Sequence, residues 1–182
     1  TGKTTCLKAV CAAITKMGKT YALAAPTGRA SKRITETTGK PAKTLHRLLE
    51  YKHMGYFGVF LKNNKNKLNY DYIIVDETSM IDIFLMNALL KATSLESHII
   101  LVGDVDQLPS VSMGSILRDL KDSGVIPIYA LTQIHRQSKS SYIIQNAYHV
   151  KNGEKIAEAP HSDFLSLKIN SVDELMRFLQ KL

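Results

Sequence analysis

No stretch of the chain approaches the ~20 consecutive apolar residues that a membrane-crossing helix needs, and no basic-then-apolar leader is visible. A membrane partner is not expected, and the expected location is cytoplasmic. Cysteine is scarce: only Cys6 and Cys11 occur among 182 residues. Their spacing is neither a C-x-x-C redox pair nor a zinc-ligand pattern, so the expectation is two reduced, buried thiols on one helix. Internal repeats and low-complexity tracts are missing too. Acidic residues are in deficit, 16 against 24 Lys and Arg, which leaves a formal charge of +8. Such a balance favours polyanionic partners, with a merely solvated basic surface as the plain alternative.

One further absence is informative. Thr1-Gly2-Lys3-Thr4-Thr5 is the second half of the phosphate loop G-x-x-x-x-G-K-[ST], and the first glycine of that pattern is not in the sequence. The chain therefore reads as an N-terminally truncated fragment that opens inside the loop, and by itself it is expected to bind ATP poorly. In such a loop, backbone N–H groups at Gly2 and Thr5 and the following helix N-terminus hold phosphate oxygens. Lys3 reaches the β- and γ-phosphates, and the Thr4 hydroxyl ligates Mg²⁺. Five residues alone are a weak match. Their weight comes from the apolar run Tyr72-Ile73-Ile74-Val75 ending in Asp76-Glu77, the pattern of a buried parallel strand delivering carboxylates to its C-terminal edge.

Apolar periodicity alternates between helix and strand along the chain, which points to an α/β fold with a parallel sheet covered on both faces. Helices are expected over residues 3–17, 29–37, 44–51, 83–92, 116–123, 141–151 and 172–182. Strands are expected over 20–25, 72–75, 97–102, 125–131 and near 164–169. Residues 54–69 combine a β-prone run with the turn-rich Asn63-Asn64-Lys65-Asn66-Lys67. They read as an inserted hairpin whose return begins at Leu68, or alternatively as a disordered surface loop. A domain over residues 1–127 and the incomplete start of a second over 128–182 complete the expected organisation.

The order of motifs carries a resemblance. T-G-K-T-T, A-P-T-G-R-A-S-K-R, T-L-H-R-L-L, V-D-E-T-S-M-I-D, L-V-G-D-V-D-Q-L-P-S-V and L-T-Q-I-H-R-Q follow one another. Together they resemble the motor of the RecD-like DNA helicases of superfamily 1, across roughly residues 1–153. Two departures are visible: Thr78 stands where alanine is usual, and His135 where phenylalanine is usual. The resemblance implies a RecA-like P-loop NTPase fold, ATP and Mg²⁺ as cofactors, and single-stranded DNA and the DNA fork as partners. It also implies 5′→3′ movement, and it leaves nuclease or helicase complex subunits open.

On that resemblance, Asp76 holds Mg²⁺ and Glu77 polarises the attacking water, although an acidic pair after a strand can also cap a helix. Gln107 contacts the γ-phosphate, and Arg136 serves as an arginine finger from the second unit. Pro26, Thr27, Gly28, Arg29 and Lys32 place hydroxyls, backbone N–H groups and cations at one helix start, an arrangement suited to strand phosphates. Thr44 and His46 extend the track, with a packed histidine as the alternative for His46. Two other readings remain: the helicase part of a conjugative relaxase, and a non-enzymatic nucleic-acid-binding nucleotide switch.

Overall fold

The computed structural model describes residues 2–55, 57–131, 141–159 and 163–180. The chain divides into two compact units, Thr1–Gln133 and Ile134–Leu182.

Unit 1 is built on four parallel strands. In chain order these are β1 (Tyr21–Ala25), β2 (Ala42–Thr44), β5 (Tyr72–Val75) and β6 (His98–Leu101), while β3 (Tyr51–Met54) and β4 (Phe57–Phe60) form a separate pair. The sheet order is β2-β1-β5-β6. Leu23 faces Ile74 across the β1–β5 ladder, and Ile74 faces Ile100 across β5–β6. Successive side chains of a strand point to opposite faces, so β1 and β5 must be apolar throughout to be covered twice. Leu23, Ala25 and Ile74 meet Leu7, Cys11 and Ile14 of helix α1 (Lys3–Lys16) and Ile34 of α2 (Gly28–Thr38) on one face. Ala22, Ala24, Ile73 and Val75 meet Leu45 and Leu48 of α3 (Leu45–Leu48) and Leu85 and Leu89 of α4 (Ile83–Ala92) on the other. The short helix α5 (Ile116–Asp122) joins this second layer through Ile116 and Leu120. No helix among the described residues is long and apolar enough to cross a membrane.

Several expectations need correction. The helix expected over 44–51 is the single turn α3: Thr44 ends β2 and caps it, and Glu50, at φ 54°, breaks the helical path. The chain then enters β3, which pairs antiparallel with β4 from Tyr51↔Phe60 to Met54↔Phe57. The hairpin turns just after Met54, where Gly55 takes the φ of 63° that glycine tolerates. The asparagine-rich segment makes a second tight turn closed by Asn63↔Asn66. Leu68 does not return as a strand, because its side chain is only 4% exposed in the core and its N–H bonds Ala92 O at 2.8 Å. Residues 125–131 and 164–169 form no strand, because neither segment enters a ladder with another strand among the described residues. Cys11 is buried as expected, whereas Cys6 is exposed.

Unit 2 contains α6 (Tyr142–Asn152) and α7 (Val172–Leu179), each started by a serine whose hydroxyl accepts from the N–H three residues on. Asn146, buried on α6, exchanges two hydrogen bonds with the backbone of Ala157, at 2.8 and 2.7 Å.

Candidate functional site

All four strands run parallel, so the segments that leave their C-terminal ends gather along one edge of the sheet. In open α/β sheets that edge is where ligands bind. The segment after β1 carries Pro26-Thr27-Gly28, that after β2 carries His46, that after β5 carries Asp76-Glu77, and that after β6 leads into Gly103-Asp104-Val105-Asp106-Gln107.

Lys3 lies in the first turn of α1, for which Gly2 is the N-terminal cap position, and no side chain caps that end. Gly2, Lys3 and Thr4 are half-buried and Thr5 is exposed. The Lys3 ammonium stands 3.8 Å from Asp104 Oδ2, and its Nζ is buried with no hydrogen-bond partner. The pair is a charge pairing at a distance too long for a hydrogen bond. A buried ammonium with three unsatisfied donors is unfavourable, and oxygen acceptors from an anion would relieve it.

Asp76 is positioned by the sheet: its N–H continues the β1–β5 ladder to Ala24 O at 3.0 Å, and its Oδ1 accepts from the Glu77 N–H at 2.9 Å. Glu77 sits at φ 53°, a left-handed conformation uncommon for a residue with a long side chain. Neither carboxylate caps the next helix; Asp82 does so for α4, accepting from Leu85 N at 2.7 Å. Thr78 is fully buried and ties this turn to the neighbouring strand. Its N–H and hydroxyl both reach Val102 O, at 3.0 and 2.8 Å. Beside it, a Cβ on Gly103 would lie 2.6 Å from Leu117 Cδ2 and 3.3 Å from Thr78 N, so the β6 loop passes close to both. Asp104 shapes the loop beyond by accepting from Asp106 N at 3.1 Å, and Gln107 is exposed at its end.

The other sequence-derived positions share the edge. Thr27 caps α2 by accepting from Ala30 N at 3.2 Å, and Thr44 caps α3 by accepting from Arg47 N at 3.2 Å. Each threonine can therefore offer a ligand its hydroxyl hydrogen. Arg29 and Lys32 are exposed on α2, the latter 3.9 Å from Glu36 in an exposed pair that constrains it little. His46 is exposed, with its ring leaning on Tyr51 and Phe60 at centroid distances of 5.4 and 5.8 Å. Arg136 falls outside the described residues. Sequence reasoning missed Asp104 as the partner of Lys3, and the G-D of G-D-x-x-Q-L-P was the signal available for it. Among the described residues no cluster of three or more His, Cys, Asp or Glu is arranged to hold a metal ion.

A family model described as an AAA domain matches residues 1–113. The ATP-dependent RecD2 DNA helicase of Deinococcus radiodurans is 42% identical over 154 residues, covering 85% of this chain. The chain belongs to the AAA-domain family, in its RecD-like helicase branch. The RecBCD enzyme subunit RecD of Mycolicibacterium smegmatis is 36% identical over 164 residues, covering 77% of this chain. The chain spans 21% of the Deinococcus protein and 29% of the Mycolicibacterium subunit. Among solved structures, Bacteroides Pif1 helicase in complex with ADP-AlF3 and single-stranded DNA superposes with a TM-score of 0.56 at 24% identity, covering 83% of this chain and 40% of that one. Pif1 bound to single-stranded DNA gives 0.55 at 24% identity over 84% of this chain and 41% of that one. That likeness concerns the fold, and it agrees with the RecA-like parallel sheet described above.

Proposed function

We propose that this chain is the nucleotide-hydrolysing part of a DNA helicase, coupling ATP turnover to movement along single-stranded DNA and to duplex unwinding. The observation that carries the reading is the Lys3 ammonium, buried without an acceptor at the sheet edge that also bears Asp76, Glu77 and Gln107. A triphosphate would supply the missing oxygens. In this reading Gly2, Lys3, Thr4 and Thr5 hold the phosphates. Lys3 then exchanges Asp104 for the β- and γ-oxygens, which releases the loop that ends in Gln107.

Mg²⁺ suits the residues present: it needs few protein ligands beside phosphates, and Asp76 has one carboxylate oxygen engaged by Glu77 N, leaving the other for an ion shared with Thr4. When bound, it would neutralise charge on the transferring phosphoryl group. Glu77, held at a strained turn, orients the water. Gln107 contacts the γ-phosphate, and Arg136, from the segment that begins the second RecA-like unit, neutralises developing charge on cleft closure. Pro26, Thr27, Gly28, Arg29, Lys32, Thr44 and His46 line the strand track and bind backbone rather than sequence. Movement is 5′→3′, and the β3–β4 hairpin splits the fork.

The test separates binding from chemistry in the full-length protein. Lys3→Ala should weaken ATP binding and abolish turnover, whereas Glu77→Gln should keep ATP affinity within a few fold and slow hydrolysis by roughly 10²-fold or more. Equal losses of affinity in both variants, read by equilibrium nucleotide binding, would overturn these roles. Normal turnover in Glu77→Gln would favour the nucleotide-switch alternative.

A further inference from the structure

The basic excess of this chain is not spread along it. Residues 1–44 hold nine Lys and Arg against a single acidic residue, Glu36, a net +8, whereas residues 45–182 hold fifteen of each sign. The whole formal charge thus belongs to α1, β1, α2 and β2. Because α1 and α2 pack on the same face of the sheet, the fold turns this stretch of sequence into one basic layer. Lys8 and Lys16 are exposed on α1, Arg33 on α2 and Lys40 just beyond the α2 cap, and none of the four joins an ion pair among the described residues. Lys40 lies near α1: burial raises the Cys11 thiol pKa, and a hydrogen bond with Tyr21 and the Lys40 charge are among the influences that oppose the rise. Between the cations the surface offers no stacking or apolar anchor. Neither helix contains an aromatic residue, α1 exposes Ala9, Ala12 and Ala13, and among residues 2–44 Met17 is the one large apolar side chain exposed.

We infer that the outer face of α1 and α2 holds the phosphate backbone of double-stranded DNA, through Lys8, Lys16, Arg33 and Lys40. The inference rests on the helicase reading above, in which Arg29 and Lys32 belong to the single-strand track. Chemistry chooses the duplex among polyanions. Single strands are held by charge together with aromatic platforms for unpaired bases, and this face has no platform. An acidic protein segment draws its affinity from apolar and aromatic anchors seated in pockets, which this face lacks as well. A duplex keeps its bases stacked inside and presents one charge per ~1.7 Å of axis, so unpaired cations on a surface without anchors suit it. The dimensions agree. Lys8 and Lys16 are separated by ~12 Å of helical rise, and packed helices lie ~8–10 Å apart, so the four cations span several phosphates. Arg33 follows Arg29 by about one helical turn, ~6 Å, which lets the duplex arm of a fork and its single-stranded arm lie side by side.

The experiment uses the full-length protein and three probes in separate titrations: a labelled blunt duplex of about 20 base pairs, a labelled oligothymidylate of about 15 nucleotides and a non-hydrolysable ATP analogue. Lys8→Gln with Lys16→Gln, and Arg33→Gln with Lys40→Gln, should each weaken duplex binding about tenfold at fixed salt and flatten its log–log salt slope by about 1.8, the share of two phosphates. Affinities for oligothymidylate and the ATP analogue should stay within about twofold. Lys91→Gln with Lys121→Gln removes the same charge from the α4 and α5 layer and should change duplex binding by less than about twofold. An equal loss in that control overturns the inference, because the face would then act only through net charge. Equal losses for duplex and oligothymidylate overturn it by making the face part of the strand track. Unchanged duplex binding in both face variants overturns it in favour of a solvated surface or a protein partner. If the unsubstituted protein binds duplex but no oligothymidylate, the helicase reading fails, while duplex binding by the face variants still decides the inference.

Discussion

At the scale of single residues, polar groups at the two ends of the parallel strands do different work. At the N-terminal ends, Asp71 staples β1 to β5: its carboxylate accepts from Thr20 N and Thr20 Oγ1, both at 2.7 Å, and from Lys19 Nζ at 3.1 Å. These bonds to Thr20 and the nearby Lys19 charge hold the Asp71 pKa down to about 2. A depressed folded-state pKa means that the stabilisation is complete above the ordinary aspartate value and is lost as pH falls through about 2. Asp71→Asn should therefore lower the urea midpoint near neutral pH, and its difference from the unsubstituted protein should shrink between about pH 4 and pH 2. A difference constant across that range would mean that the carboxylate charge is irrelevant to the staple. At the C-terminal ends the pattern inverts. The Lys3 ammonium and the Ser79 hydroxyl have no hydrogen-bond partner and Glu77 is strained, so local stability is sacrificed at this edge. Thr78 offsets some of that by clamping the acidic turn to β6 through Val102 O, which an alanine hydroxyl-less side chain could not do.

At the scale of elements, the hairpin β3–β4 is the part least dictated by the core. Tyr51 lies across Gly58 so closely that a Cβ there would fall 1.7 Å from its hydroxyl, and Tyr51, His46, His53 and Phe60 form one aromatic base. The far end carries Met54 and Phe57, 64% and 78% exposed, as a facing pair. Exposed aromatic surface on a short antiparallel pair, braced at its root, suits a wedge that stacks on a terminal base pair. Replacing residues 52–59 by a short Gly/Ser turn in the full-length protein should abolish duplex unwinding while sparing most of the ATPase stimulated by single strands. Unwinding that survives the replacement would move the wedge to another element.

At the scale of the whole molecule, the proposed cycle needs two units. The first supplies the phosphate loop and the acidic edge, and the segment containing Arg136 begins the second. An arginine that acts only on a closed cleft contributes to the transition state and little to the resting complex. Arg136→Ala should accordingly leave ATP affinity within about threefold and reduce strand-stimulated turnover roughly 10³-fold. Near-normal turnover, measured under single-turnover conditions, would assign the finger to a different residue. The excess of 24 basic over 16 acidic residues should make strand binding weaken steeply with salt, whichever side chains make the individual contacts.

Local chemistry made much of this legible in the sequence. The apolar run of β5 ending in two carboxylates reads as a buried parallel strand and β1 as a short strand, and Gly2-Lys3-Thr4 and Asp76-Glu77 could be placed at helix start and strand end from neighbouring residues alone. The RecA-like sheet and the RecD-like family follow from that order. What needed the tertiary structure was everything fixed by contacts between distant residues. Thr44 to Tyr51 has helical spacing, yet β2 pairing and the antiparallel ladder to β4 divide it among three elements, because partners far along the chain outbid local propensity. Residues 125–131 have strand composition but join no sheet among the described residues. The Lys3–Asp104 pairing joins segments 101 positions apart, and the Arg118–Val105 hydrogen bond joins ones 13 apart. Periodicity reports which face of an element is buried; it carries no information about which other element will cover that face.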